Sequence, residues 1–338
     1  MINKVYEKIT KIIKTNYKEI IVLLFLFIII NFPVNCTIMV SGGTININDR
    51  IQIENSYNSR GNFNLAYVSE IKGTIPTYLL SYIIPTWTKV DLEEYKASSN
   101  ETSEDIEKRA KTYLEYSVQS AVKTAYDKAG KNFNYTDYKF YVVYVDDAAD
   151  KNIKVGDIIL KVNGHNMKTL TEYKKNIESS NIGEKIGLTV LRNGEQKNID
   201  VEVKNIDGKK LTGVSILQLY NYNTNPKIKL NFKNNESGSS GGLMLTLAIY
   251  DKLIQEDITK GLKIVGTGTI DFEGNVGEID GVEYKLKGAV KSKADVFIVP
   301  LGNNYNDCIK LKEKKGYKIK IIGVSTFDDA LTKLNNLK

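Results

Sequence analysis

The sequence predicts an α+β chain: an apolar amino-terminal helix, a β-rich middle and a carboxy-terminal third in which strands and helices alternate. Three observations carry this. Ile20–Ile30 reads IIVLLFLFIII without a break. Residues 133–204 hold short β-branched runs closed by Gly156-Asp157, Asn163-Gly164 and Asn193-Gly194, which are turn signals. Residues 227–338 show apolar runs of strand length between segments of helical period. A chain of 338 residues with 42% hydrophobic and 26% charged residues has the composition of about two globular domains.

Composition also excludes function classes. One histidine, His165, cannot build a multi-histidine metal site, and Cys36 and Cys308 cannot build a disulfide framework. No metal or cofactor is expected. No Gly-x4-Gly-Lys-Ser/Thr loop is present, which argues against a built-in P-loop ATPase. Of the net charge of +7, residues 1–18 supply +4 through Lys4, Lys8, Lys11, Lys14 and Lys18 against Glu7. The basic balance is therefore largely a tail effect, and no nucleic-acid partner is expected.

The elements follow in order. No charge falls between Ile20 and Asn48, and about 20 apolar residues span a bilayer. The expectation is a transmembrane helix over 19–40 in contact with lipid, with a cleaved signal core or a buried core helix as alternatives. The lysine-rich flank makes 1–18 a cytoplasmic tail and puts the rest outside the cell. Ile45–Ile53 and Asn62–Ser69 alternate as strands do. Residues 103–129 carry a helical stripe at Ile106, Ala110, Tyr113, Leu114, Val118, Ala121, Val122 and Ala125, with Thr102 or Ser103 to cap it and Gly130 to end it. Tyr141–Val145 and Ile158–Val162 are strands, Leu170–Ile177 is a short helix, and Ile186–Val203 is a hairpin. His165 falls in a surface loop. The string Lys154-Val-Gly-Asp-Ile-Ile-Leu-Lys-Val-Asn-Gly resembles a PDZ domain, which implies that 133–204 docks an extended peptide as an added strand.

In the last third, Lys227–Phe232 is a strand and Asn234–Gly242 a glycine- and serine-rich turn into an apolar helix. Small residues let a substrate backbone approach, and a helix start leaves N–H groups unpaired that can hold an oxyanion. Lys263–Ile270 is a strand, Asp271–Val276 a hairpin, Gly281–Ala294 a helix and Asp295–Pro300 a strand. A polar helix over 305–315, a strand over 317–322 and a helix over 326–334 complete the chain. The order of serine turn, helix, Gly266-Thr-Gly-Thr strand, Gly-x-Val hairpin, lysine helix and Val296-Phe-Ile-Val-Pro strand resembles the Lon-type serine protease domain. With the apolar helix and the PDZ-like segment, the chain is similar to the membrane-anchored PDZ–Lon-like proteases of Gram-positive bacteria. The resemblance implies that 41–132 begins the Lon-type fold, that 133–204 is inserted in or precedes it, and that 205–338 holds the catalytic residues.

The family's nucleophile stands in Gly-Pro-Ser-Ala-Gly, which here is Gly238-Ser239-Ser240-Gly241-Gly242 and falls on Ser240. Ser237 and Ser239 are rival nucleophiles. The family's base lysine matches Lys285 in Gly281-Val-Glu-Tyr-Lys, with Lys287 as the local alternative and Thr267 as its supporting threonine. Backbone N–H groups of Ser239, Ser240 and Gly241 are the implied oxyanion donors. The implied activity is ATP-independent endopeptidase action on secreted or small membrane-anchored proteins. The rival reading is an inactive, membrane-anchored PDZ adaptor.

Overall fold

The computed structural model describes residues 2–337, with the side chains of 2–4, 8 and 9 excepted. The chain divides into two compact units, residues up to 41 with 69–94, and residues 42–68 with 95–337.

In the first unit the apolar run forms a helix of 15 residues, Tyr17–Asn31. At about 1.5 Å per residue it is about 22 Å long, short of the roughly 30 Å hydrocarbon core. Among the described residues no helix is long and apolar enough to cross a membrane. This overturns the transmembrane span expected over 19–40 and the single-pass placement with an extracellular carboxy-terminal part. The reason lies at Pro33. Proline pushes the residue before it out of helical geometry, and Phe32 is extended at φ −63°, ψ 118°. The β-branched residues that follow join the strand Pro33–Asn46, whose residues 36–40 pair antiparallel with Trp87–Asp91. The apolar sequence of 19–40 is thus shared between a helix and a strand.

In the second unit a parallel sheet runs in the order Lys320–Val324, Val296–Pro300, Lys263–Gly266, Asn62–Thr74. All five residues of Val296–Pro300 are buried, as expected of a parallel strand covered on both faces. Helices Gly242–Leu253, Val282–Lys291, Asn303–Lys315 and Phe327–Asn335 accompany this sheet. The long helix Ser103–Lys128 starts at a capping box between Thr102 and Asp105 and ends before Gly130, whose φ is +63°. Its Ala121, Val122, Ala125 and Tyr126 share one core with Leu243, Leu247 and Phe63. Burying a large apolar side chain of this kind contributes about 1.5–3 kcal/mol. The expected Ile45–Ile53 strand is interrupted. Asn46 caps a short 3-10 turn, Ile47–Arg50, because its side chain accepts from Asn48 N.

The same unit holds a second, antiparallel sheet in the order Val214–Asn225, Asn132–Val145, Ile158–Val162, Lys185–Arg192, Glu195–Glu202. Its core includes Phe140, Val142, Ile159, Leu188 and Val190, closed by Tyr173 and Ile177 of helix Leu170–Ser179. Asn193 and Gly194 both have positive φ, 52° and 82°, the two-residue turn that matches strand twist. His165 is exposed in a two-residue strand beside Val162. Cys36 and Cys308 are free and buried.

Candidate active site

The serine-rich turn enters helix Gly242–Leu253, whose residues Leu243–Ile249 are all buried, so the turn is anchored to the core by its own helix. Two glycines here are required by geometry. Gly238 has φ +84°, and a Cβ on Gly242 would stand 2.4 Å from Ser117 Oγ and 2.7 Å from Ile270 Cγ2. Ser239 and Ser240 are half-buried, and Ser237 is exposed.

Two consecutive carbonyls of the turn are each held by one hydroxyl and one N–H. Ser239 O accepts from Ser117 Oγ at 3.0 Å and from Gly242 N at 3.1 Å. Ser240 O accepts from Thr267 Oγ1 at 3.0 Å and from Gly268 N at 2.8 Å. A third tie is Gly238 N to Ala110 O at 3.0 Å. Among the described residues the N–H groups of Ser239, Ser240 and Gly241 donate to no protein acceptor. The result is a short row of unpaired donors on a backbone whose carbonyls are immobilised.

Lys285 lies in the first turn of helix Val282–Lys291 and is only 4% exposed. Among the described residues its Nζ has no hydrogen-bond or ion-pair partner. Burial lowers its pKa from the ordinary 10.5 to about 8, with exposed Asp280 pulling weakly the other way. Lys287 is half-buried with Nζ 5.2 Å from the Tyr284 ring centre. Thr267 is fully buried just beyond strand Lys263–Gly266, against which the lysine helix packs. The structure therefore brings Thr267 and Ser240 into contact through the serine's carbonyl. It forms no hydrogen bond between Ser240 and Lys285.

A cleft of about 310 Å³ opens beside Ser239, lined by Tyr113 and Tyr116 of the long helix and by Ile270, Val276 and Gly277. His165 does not line it. Among the described residues no group of three or more His, Cys, Asp or Glu is placed to hold a metal ion. Sequence reasoning missed Ser117, Tyr116 and the cleft. The available signal was a serine at 117 within the apolar stripe of the long helix, between Leu114 and Ala121.

Two family models match the chain: a PDZ domain over residues 127–203, and the Lon protease (S16) C-terminal proteolytic domain over 233–336. No curated protein matches it. Among solved structures, the PDZ domain of an SdrC-like protein from Listeria monocytogenes is 20% identical. It covers 25% of this chain and 93% of its own at a TM-score of 0.23. The corresponding domain from Listeria innocua is 22% identical and covers 24% and 92%, at a TM-score of 0.22. Helix Ser103–Lys128 lies almost wholly outside both matched ranges, and strand Val214–Asn225 lies between them. The chain thus carries a PDZ domain and a Lon-type proteolytic domain, and it is a serine peptidase.

Proposed function

We propose that the chain is an ATP-independent endopeptidase in which Ser240 is the nucleophile and Lys285 the general base. The observation that carries this is a buried lysine, without a partner among the described residues and with a pKa of about 8, in the same compact unit as a serine flanked by unpaired N–H groups. An ordinary lysine is almost fully protonated at neutral pH, whereas with a pKa of about 8 roughly a tenth is neutral at pH 7. Neutral Nζ takes the proton as Ser240 Oγ attacks the peptide carbonyl. The resulting oxyanion is held by the N–H groups of Ser240 and Gly241, a contribution of about 3–4 kcal/mol per donor in comparable sites. The lysine then protonates the departing amine. Water, deprotonated by the same lysine, cleaves the acyl-enzyme and restores Ser240. Neither half-reaction consumes a nucleotide.

The PDZ domain binds a peptide or protein, and we assign its docking edge to strand Val214–Asn225, one of the two outer strands of its sheet. Tyr220 N donates to Gln119 Oε1 at 2.7 Å, so the backbone groups of Tyr220 face away from the neighbouring strand. By the two-residue period, those of Gln218 and Ile216 do so as well. Helix Leu170–Ser179 adjoins this edge. Tyr173 Oη and Thr212 Oγ1 are 2.8 Å apart, and Val214 and Ile216 pack against the core to which Tyr173 and Ile177 belong. An extended segment of the substrate adds to the edge as a further strand.

The deciding experiment is fluorophosphonate labelling and hydrolysis of an unstructured peptide without nucleotide. Ser240→Ala should lose both, and Ser239→Ala and Ser237→Ala should retain both. Undiminished hydrolysis by Ser240→Ala would move the nucleophile elsewhere.

A further inference from the structure

We infer that Ser117, on the long helix outside both matched domains, is a positioning residue that aims the Ser240 N–H at the oxyanion. The inference rests on Ser240 being the nucleophile. In a trans peptide the C=O of one residue and the N–H of the next lie in one plane and point in opposite directions. Fixing the Ser239 carbonyl therefore fixes the direction of the Ser240 N–H. Fixing the Ser240 carbonyl fixes the Gly241 N–H in the same way. These two peptide planes flank the Cα that carries the nucleophile. Thr267 secures the second plane and Ser117 the first, each with a buried hydroxyl at 3.0 Å and each paired with a backbone N–H.

Ser117 is placed for this by packing rather than by local sequence. It is 2% exposed, 122 residues from its acceptor, and its Oγ occupies the space that a side chain at 242 would need. Its helix touches the turn at a second point, Ala110 O, about two turns earlier. Helix Ser103–Lys128 thus serves as a rail along which the turn is fastened at Gly238 and at Ser239. The part of the chain that precedes the PDZ domain completes the catalytic turn of the domain that follows it.

The test compares Ser117→Ala with Thr112→Ala in the full chain. Thr112 is a buried hydroxyl of the same helix that donates to Lys108 O within the helix. Hydrolysis of a short fluorogenic peptide, inhibition by a peptide boronate and thermal melting are measured for each. Loss of the Ser117 hydroxyl should lower kcat about ten- to thirtyfold, less than loss of a donor itself, and leave KM within twofold. The boronate, which mimics the tetrahedral state, should weaken by the same factor as kcat/KM. The pH at which activity half-develops should not move, because Lys285 is untouched. Thr112→Ala should match wild type in kcat. Unchanged kcat and boronate affinity in Ser117→Ala would overturn the inference. So would an equal fall in Thr112→Ala, which would mean general softening of the helix. If Ser117→Ala does not fold, Ser117→Cys keeps a weaker donor and carries the same comparison. Activity in Ser240→Ala would defeat the underlying reading instead.

Discussion

Two buried ionisable side chains, one in each domain, are treated in opposite ways. Asp157 of the PDZ domain is 1% exposed and fully engaged. Arg192 reaches it with Nε and Nη2, both at 2.6 Å, and Lys154 N adds a third bond at 3.0 Å. Lys285 of the proteolytic domain is 4% exposed and has no partner for its charge among the described residues. A buried charge that is paired and hydrogen-bonded serves the architecture, and removing its partner is costly. A buried charge left unpaired destabilises the fold, and such groups cluster where a shifted pKa is useful. The difference separates a structural aspartate from a candidate base without reference to where either stands in sequence.

The largest effect that can break this comparison is catalytic. Lys285→Met keeps the volume and removes the amine, and should reduce peptide hydrolysis at least a thousandfold at pH 8, because nucleophile and base act as one unit. The same variant should be more stable than wild type near pH 6. The sign follows from linkage. The folded lysine titrates near 8 and the unfolded one near 10.5, so between these values the unfolded chain binds more protons and stability rises with pH. The cost of the buried charge is fully present below about pH 8 and gone above about 10.5. Methionine should therefore raise stability by up to about 3 kcal/mol at pH 6 and by little at pH 10.5, as read by denaturant titration. A destabilised Lys285→Met at pH 6 would show that the amine is paired after all.

Asp157→Ala should have the opposite sign. It strands Arg192 and should destabilise the PDZ domain by about 3 kcal/mol, while short-peptide hydrolysis persists below the melting range. Loss of that hydrolysis in a folded sample would mean that the PDZ domain orders the catalytic turn.

The pH profile sharpens the comparison further. Activity of wild type on a short peptide should rise about tenfold per unit below pH 8 and level off above 9, tracking neutral Lys285. A profile flat from pH 6 to 9 would assign the proton transfer to another group.

The smallest effect concerns docking. Gln218→Pro removes an outward-facing N–H from an edge strand, where proline is tolerated. It should raise KM for a long unfolded polypeptide several-fold and leave a short peptide unaffected. Equal behaviour on both substrates would remove the docking role from this edge.

What could be read in the sequence was local. Thr102, Asp105 and Gly130 mark both ends of the long helix, and Asn193-Gly194 names its hairpin, because caps and turns involve residues a few positions apart. The Gly238–Gly242 turn and Lys285 were legible by likeness to a family pattern, since turn and helix start are also contiguous. The apolar composition of 19–40 reads as one helix. Periodicity does not say where a helix stops, and Pro33 together with strand pairing to Trp87–Asp91 stopped it.

Sequence by itself thus determined the helix caps, the turns, the serine-glycine entrance to a buried helix and, with His165 as the single histidine, the exclusion of a multi-histidine metal site. Tertiary structure alone decided the partners and the environments. Ser117 meets Ser239 across 122 residues, and Gln119 meets Tyr220 across 101. Lys285 is one lysine among many until packing removes its water. Hydrogen bonds between distant segments and the desolvation that shifts a pKa are properties of the packed interior, and no window along the chain contains them.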